Sequence, residues 1–502
     1  MVYIISALPI LCLLVCLLLL KLSGQKASAV SFLSVTAIYL FYFKSGSGIM
    51  ISMAKGFGLG SFVVLIIWGA MFLYNLVEKA GALEVISETV GRSVEDKLIQ
   101  LLFLSWIFAS FLQGIAGFGV PVIVVVPILI SLGFSPETAA AAVLIGHSWS
   151  ISFGSMGSSV YAIDLVTKTN LNDIVLNMSI LGTISMLCTG ISICILFGGR
   201  NVLQRGIVYV FTVSVFMGAT LFVMAKLQMY SILGLAAGVV GSIAMFIICR
   251  IDNKISMKYE AIEKGRLGIL HAIMPYIVII ILSITFYIID PKWEICFDFP
   301  GYETSRGRII DIEDDYVKFN LLKFPLIIIM MAAIISGGMF WKKRVLKGDD
   351  VKTIVQNTIK KCVPTTVTIV FLLITAVVMM DSGMIENLAY AVVKLSGKTY
   401  PLVSSFIGLL GAFITGSNTN SNILFGSFQE IAADTLGYST AIICAVHSIG
   451  ASIGGAIGPT TVALGVTAAQ IQGREVLVYR KTLIPILTSE VILGIIAFVL
   501  VR

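Results

Sequence analysis

Ten stretches of this chain run close to membrane-crossing length with few or no charges: residues 2–20, 27–43, 56–77, 174–197, 206–225, 229–249, 269–289, 322–340, 363–380 and 482–501. A helix needs roughly 20 apolar residues to cross about 30 Å of hydrocarbon. Repetition on this scale predicts an all-α polytopic membrane protein. The alternative, a set of buried helices in one large soluble domain, conflicts with cores that stop growing at roughly 250–300 residues. Met1-Val2-Tyr3-Ile4 enters the first run without a basic leader, so that run reads as a retained helix rather than a signal peptide.

Two further regions are apolar but interrupted. The run 98–112 meets Gln113-Gly114-Ile115-Ala116-Gly117-Phe118-Gly119-Val120-Pro121 and resumes over 122–133. A 15-residue helix is only about 22 Å long, short of a full crossing. A re-entrant hairpin entering from the cytoplasm, with its glycine-rich tip near mid-membrane, fits this pattern. The next span starts near 138 and breaks at Gly154-Ser155-Met156-Gly157-Ser158-Ser159. In the second half, 401–415 leads to the tip Gly416-Ser417-Asn418-Thr419-Asn420-Ser421-Asn422, and the following span breaks at Gly454-Gly455-Ala456-Ile457-Gly458-Pro459-Thr460-Thr461. Two hairpins and about 12 full spans satisfy the parity of the loops.

The two regions also match each other. Gly81-Ala82-Leu83-Glu84 pairs with Gly383-Met384-Ile385-Glu386, 302 residues on, and His147-Ser148 with His447-Ser448, 300 residues on. Two of the three histidines thus occupy equivalent places. Loop charge gives the regions opposite senses, and inverted repeats of this kind mark secondary transporters. The expected organisation is N-terminal helices over 1–55 and a first repeat over 56–197 with hairpin 98–133. Connecting helices fill 198–361, with an outer acidic loop 290–318 and a cytoplasmic basic loop 342–361. A second repeat covers 362–502, with hairpin 401–436.

Composition sharpens this picture. The chain is 58% hydrophobic and 12% charged, with a net charge of +7. The basic residues sit in short loops, which follows the positive-inside rule and argues against nucleic acid as a partner. Lys342, Lys343, Arg344, Lys347, Lys352, Lys360 and Lys361 place 342–361 inside, as Arg250, Lys254, Lys258, Lys264 and Arg266 place 250–266. Lys21, Lys26, 79–97, Arg200, Arg205, Arg474, Arg480 and Lys481 fall inside as well. The segments 168–173, 290–318 and 381–399 fall outside, and so do both termini. The eight cysteines are scattered, with neither metal spacing nor a disulfide framework. Gly146-His147-Ser148-Trp149-Ser150 approaches a serine-hydrolase elbow, but it ends in serine and no strand precedes it. A membrane-embedded enzyme would need a nucleophile or metal set that the sequence lacks. No cofactor is expected.

Irregular backbone at membrane depth must line a cavity, because unsatisfied groups in lipid cost several kcal/mol each. Each break exposes a helix N-terminus, with roughly half a positive charge and free N–H donors, which suits a carboxylate. The candidate substrate-binding residues are therefore Gly117, Gly119, Ser155, Gly416, Ser417, Asn418, Thr419, Asn420, Asn422 and Thr460. Packing of small residues between helices is the competing explanation for the glycines. An anion entering an inside-negative cell is opposed by about 2.3 kcal/mol per 100 mV, so a co-transported cation or an exchanged anion is required. Histidine titrates near neutrality, which makes His147 and His447 candidates for proton coupling; Asp434 is a third. Lys361, Asp381 and Glu430 are weaker candidates, read mainly as interfacial charges. His271 reads as structural.

The segments that carry these features resemble the L-lactate permease family. Gly416-Ser417-Asn418-Thr419-Asn420-Ser421-Asn422-Ile423-Leu424-Phe425-Gly426-Ser427-Phe428-Gln429 is similar to that family's second-half signature, preceded by Ser382-Gly383-Met384 and followed by Gly473-Arg474-Glu475. Gly114-Ile115-Ala116-Gly117-Phe118-Gly119-Val120-Pro121 resembles its first glycine motif. The likeness runs from about residue 56 to the C-terminus and is weak over 200–320. It implies import of L-lactate, D-lactate, glycolate or a related small monocarboxylate by proton symport, at the plasma (inner) membrane and without chemical transformation. It also implies kinship with elevator-like carriers, often homodimers. The chain departs from the family pattern at Gln113, where an acidic residue is usual, and at His147 and His447, where asparagine is usual. Gly454-Gly455 and Pro459-Thr460-Thr461 lack the expected lysine and P-Q-S. A sodium-coupled carboxylate carrier or a sodium–proton antiporter is the alternative.

Overall fold

The computed structural model describes residues 2–43, 48–92, 94, 96–117, 119–252, 267–304 and 307–501. Phe118 and the basic residues Lys254, Lys258, Lys264 and Arg266 lie outside the described residues. The chain begins with α1 (Val2–Leu14) and α2 (Gly24–Ile38), each prolonged by a π-helical turn. The region expected as the first repeat follows: α3 (Gly48–Lys79), α4 (Ala82–Arg92), α5 (Lys97–Leu102), α6 (Ala109–Ile115), α7 (Val120–Ser131), α8 (Pro136–Ser148), α9 (Ser158–Asp164) and α10 (Leu171–Gly198). The connecting helices are α11 (Arg200–Lys226), α12 (Leu233–Ile251) and α13 (Ile269–Ile289), then α14 (Pro325–Lys342) after four short strands. The region expected as the second repeat holds α15 (Gly348–Asp381), α16 (Met384–Ser396), α17 (Tyr400–Thr415), α18 (Asn418–Thr435), α19 (Thr440–Gly454), α20 (Pro459–Ala468) and α21 (Glu475–Leu500).

Among the described residues, twelve helices are long and apolar enough to cross a membrane. Their outward faces are apolar: Val208, Phe211, Val215 and Phe216 of α11 are all at least half exposed, as lipid-facing surface requires. The stretch Lys97–Ile115, by contrast, is buried from Leu98 onward. It forms one nearly continuous 19-residue helix, because a π-helical turn over Phe103–Phe108 joins α5 to α6. At about 1.5 Å per residue it spans about 28 Å, longer than the 15-residue apolar run suggested. The short member of that pair is α7, at 12 residues.

Three polar segments differ from their expected form. The basic segment 342–361 is loop only over 343–347; from Gly348 it is the start of α15. Ile354, Thr358 and Cys362 recur every fourth residue and are buried, with Asn75 Nδ2 of α3 donating to Thr358 Oγ1 at 2.9 Å. The segment 381–399 similarly holds the amphipathic helix α16, the counterpart of α4. Gly81 and Gly383, the matched glycines, both turn with positive φ immediately before these helices, a conformation that L side chains resist. The acidic segment 290–318 adds strands to an otherwise helical protein. β1 (Glu294–Phe299) pairs antiparallel with β4 (Glu313–Asn320), and β2 (Tyr302–Glu303) pairs with β3 (Ile309–Ile310).

This small sheet is tied to the helices by charge. Fully buried Lys55 of α3 places Nζ 2.7 Å from Glu313 and 3.7 Å from Asp381. Asp381 also accepts from Ser52 Oγ at 2.7 Å and Tyr302 OH at 3.0 Å. Arg308 grips Glu386 through two 2.7 Å bonds. Elsewhere Lys79 pairs with Asp350, Arg205 with Asp96 and Arg474 with Glu137. The Lys79–Asp350 and Arg205–Asp96 pairs each join segments that loop charge assigns to one side of the membrane.

The centre of the fold is the crossing of α3 and α15. Gly56 and Gly60 let the helices touch: a Cβ at Gly56 would fall 2.5 Å from Ile374 Cα, and one at Gly60 3.2 Å from Val370 Cα. Small residues are what permits such close approach in lipid.

Candidate functional site

Four helix N-termini meet at one cavity of about 410 Å³, within the usual range for small-ligand sites. Gly119 is the N-cap of α7, and Ser158 and Ser159 open α9. Ser417 caps α18, which opens Asn418-Thr419-Asn420, and Thr460 and Thr461 lie in the first turn of α20. All of these residues line the cavity. The first N–H groups of a helix have no partner within it, and each terminus carries roughly half a positive charge. Among the described residues, the lining contains no Asp, Glu, Lys or Arg. The lining thus presents helix dipoles together with neutral polar side chains and His147.

The second tip is built to hold shape. Gly416 turns with φ +69°, ending α17, and Ser417 Oγ accepts from Asn420 N–H at 3.3 Å. Ser421 Oγ donates to Gly408 O at 3.0 Å and Gln429 Nε2 to Ser404 O at 3.1 Å, so α17 and α18 run antiparallel as a hairpin. The first tip is plainer: Gly117 N–H donates to Ser155 Oγ at 2.8 Å. A Cβ at Gly117 would overlap that hydroxyl, just as one at Gly416 would overlap Thr460 Oγ1. Each tip glycine thus closes on a hydroxyl of its own repeat's broken helix.

The broken helices cross with pseudo-twofold exchange. Ser152 Oγ donates to the Ser448 carbonyl at 2.7 Å, and Ser452 Oγ to the Ser148 carbonyl at 2.5 Å. The matched positions lie 300 residues apart, as the histidines do. Gly146 packs on the main chain at Ser105 and Gly450 on the main chain at Ser405, so the relation extends to the hairpin arms. The second hairpin then fastens itself to the first broken helix. Asn418 Nδ2 donates to Ser152 Oγ at 2.7 Å and to Ser448 O at 3.1 Å. Asn422 Nδ2 donates to Ser159 O at 2.8 Å and Ser448 Oγ at 3.0 Å. Because each amide faces a carbonyl, its nitrogen is identified as donor. The Oδ1 atoms of Asn418 and Asn422 are buried without a partner among the described residues.

The expected site residues separate into two groups. Gly117, Gly119, Ser155, Gly416, Ser417, Asn418, Thr419, Asn420 and Thr460 line the cavity, and so does His147. Asn422 and His447 are fully buried behind it, and Asp434 is exposed at the far end of α18. The two histidines differ. The carbonyl of Val143, 2.5 Å away, accepts from His147 Nδ1, which leaves Nε2 as the proton-accepting atom. His447 is held at both nitrogens, Nδ1 3.1 Å from Gln429 Nε2 and Nε2 3.3 Å from Ser421 O. Sequence reasoning missed the opposite wall: Ser23, Gly24 and Gln25 at the start of α2, and Pro364, Thr365 and Thr368 of α15. The available signals were a polar gap between two apolar blocks and a Pro-Thr-Thr inside a third.

The same architecture carries a family signature along its length. A family model described as L-lactate permease matches residues 2–301 and 304–502, including the N-terminal and middle segments where motifs alone gave little. An L-lactate permease of Escherichia coli (strain K12) is 25% identical, covering 98% of this chain and 94% of its own length. One of Streptococcus iniae is 27% identical over 86% of this chain and 91% of its own. A glycolate permease of E. coli is 26% identical at 98% and 94% coverage. Among solved structures, the Alcanivorax borkumensis YdaH transporter aligns with TM-score 0.47 and 13% identity, over 89% of this chain and 87% of its own.

Proposed function

Since the chain belongs to the L-lactate permease family, we propose that it imports L-lactate, and D-lactate or glycolate as related small monocarboxylates, across the plasma membrane by proton symport. The observation that carries this reading is the convergence of four helix N-termini on a cavity lined without charged side chains. The substrate carboxylate takes the free N–H groups of α18 and α20. Its 2-hydroxyl donates to Asn418 Oδ1, which is otherwise unpartnered. An uncharged wall suits repeated binding and release, since a buried ion pair would hold the anion too firmly to let go.

The wall formed by α2, α3 and α15 faces the tips across the cavity. We take the two hairpins as re-entrant and as the moving part, in an elevator-like displacement against that wall, with a homodimer as the working assembly. Bound anion and proton together are electroneutral, which removes the opposition of the membrane potential. Of the three candidates for proton coupling, only His147 meets the cavity.

A second reading has one observation in its favour. The buried, unpartnered Oδ1 atoms of Asn418 and Asn422 are the hard oxygen ligands that sodium takes. Purified protein in liposomes separates the two: an inward proton gradient drives uptake of radiolabelled L-lactate in choline buffer under the first reading. Uptake that requires sodium and ignores the proton gradient supports the second. Absence of gradient-dependent uptake for both lactate and glycolate overturns the proposal.

A further inference from the structure

One buried ionisable residue among the described residues lies away from the cavity lining. Glu490, on α21, is fully buried, and neither carboxyl oxygen has a hydrogen-bond partner among the described residues. Its helix has two faces. Leu483, Ile484, Leu487, Val491 and Ile495 are exposed apolar residues, as lipid contact requires, while Thr482, Ile486, Ser489, Glu490, Leu493 and Gly494 form the buried stripe. The carboxyl therefore points into protein. The helices packed there are α8, α10, α17, α19 and α20.

None of these neighbours supplies a counter-charge. Helices α17 and α20 carry no charged residue. Helix α19 offers Cys444 and His447, the latter engaged at both nitrogens. Helix α10 offers Cys188, Cys194 and, at its start, Asp173. Helix α8 offers His147, bonded to Val143, and Glu137, paired with Arg474. On α21 itself Arg480 and Lys481 lie about 14 Å up the helix, at 1.5 Å per residue. Ser405 of α17 is the hydroxyl that faces Glu490: it lies 3.4 Å from the main-chain oxygen and near enough to act on the carboxyl as well. Ionising a carboxyl buried without a counter-charge is very costly, so the charge of this side chain is coupled to what packs around it. Ionisable groups inside a membrane protein mark proton and ion pathways.

Its position links it to the substrate. Ser405 belongs to the hairpin arm that ends at Gly416, and α21 touches that arm closely: a Cβ at Gly494 would fall 2.7 Å from Leu402 O. We propose that Glu490 binds the co-transported proton, a second site separate from the carboxylate cavity, and that the hairpin can carry its cargo across the membrane only with this carboxyl protonated. This inference rests on the proton-coupled reading above. The proton is taken up by the Glu490 carboxylate on the outer side and released from it on the inner side, one for each monocarboxylate, with no bond formed or broken in the substrate.

The test compares wild type and Glu490→Gln in proteoliposomes by two assays: L-lactate accumulation driven by an inward proton gradient, and lactate–lactate exchange at equal pH. The neutral isostere is expected to lose gradient-driven accumulation by tenfold or more while exchange persists and no longer depends on pH. Wild-type accumulation in Glu490→Gln overturns the inference. If that variant does not fold, Glu490→Asp decides: gradient-driven uptake with a displaced pH midpoint supports it, and an unchanged pH profile overturns it. A wild type without gradient-driven uptake would instead remove the proton-coupled reading itself.

Discussion

The two halves of the cavity share a frame and differ in chemistry. Ser148 and Ser152 exchange hydrogen bonds with Ser448 and Ser452, and each tip glycine closes on a hydroxyl of its own repeat. Beyond the frame, the first half offers strained backbone: Ser155, Met156 and Gly157 are three consecutive residues with positive φ. The non-glycine members of such a run cost about 1–3 kcal/mol each. The second half offers fixed side-chain donors, Ser417 through Asn422, locked by capping and by amide bonds to the first broken helix. Around a shared frame, one half thus presents shaped backbone and the other fixed polar side chains.

That division can be broken. The largest effect is expected at Asn418. Asn418→Ala removes the proposed acceptor for the substrate hydroxyl, one bond to Ser152 and one to Ser448, and leaving buried partners unmet costs roughly 1–3 kcal/mol each. Lactate uptake should fall by at least about tenfold while protein remains folded in the membrane; normal uptake in both Asn418→Ala and Asn422→Ala would refute the role of the second tip. Gly416→Ala comes next, because it places a side chain at φ +69° and against Thr460. It should raise the lactate concentration for half-maximal uptake more than Gly117→Ala, which meets a similar hydroxyl but at a residue without positive φ.

The histidines give a smaller and sharper contrast. His447→Ala should lower the melting temperature, since the ring ties Gln429 to Ser421. His147→Ala should leave melting nearly unchanged and weaken apparent lactate affinity. The reverse assignment would show that the two repeats are used in the opposite way. Smallest are Ser152→Ala and Ser452→Ala, each expected to cost about 1 kcal/mol of stability, with Ser152→Ala the costlier of the two because Asn418 also donates to it.

Much of this was readable from sequence because it is written in local chemistry. A glycine within an apolar run signals a break wherever it falls, so the tips at Gly117 and Gly416 and the breaks at Gly154 and Gly454 could be placed, as could the 300-residue repeat. Loop charge grouped the segments that the Lys79–Asp350 and Arg205–Asp96 pairs join. What could not be read depends on long-range packing. The helical start of α15 looked like a basic loop, because its buried stripe Ile354, Thr358 and Cys362 is only half apolar and gains meaning against α3. The far wall at Gln25, Thr365 and Thr368 comes from helices distant in sequence from the tips. Glu490 sits inside the apolar run 482–501, and its isolation shows only once every neighbouring helix is in place. His147 and His447 matched by sequence, yet one faces the cavity and the other is locked behind it.

The most direct test of the account is thermal stabilisation of the purified protein by small acids. L-Lactate and glycolate are expected to raise the melting temperature clearly and propionate, which lacks the hydroxyl, much less, with Asn418→Ala erasing the difference between lactate and propionate. If neither hydroxy acid stabilises the protein, or if Asn418→Ala distinguishes lactate from propionate as well as wild type does, the assignment of this cavity to a small 2-hydroxy monocarboxylate is contradicted.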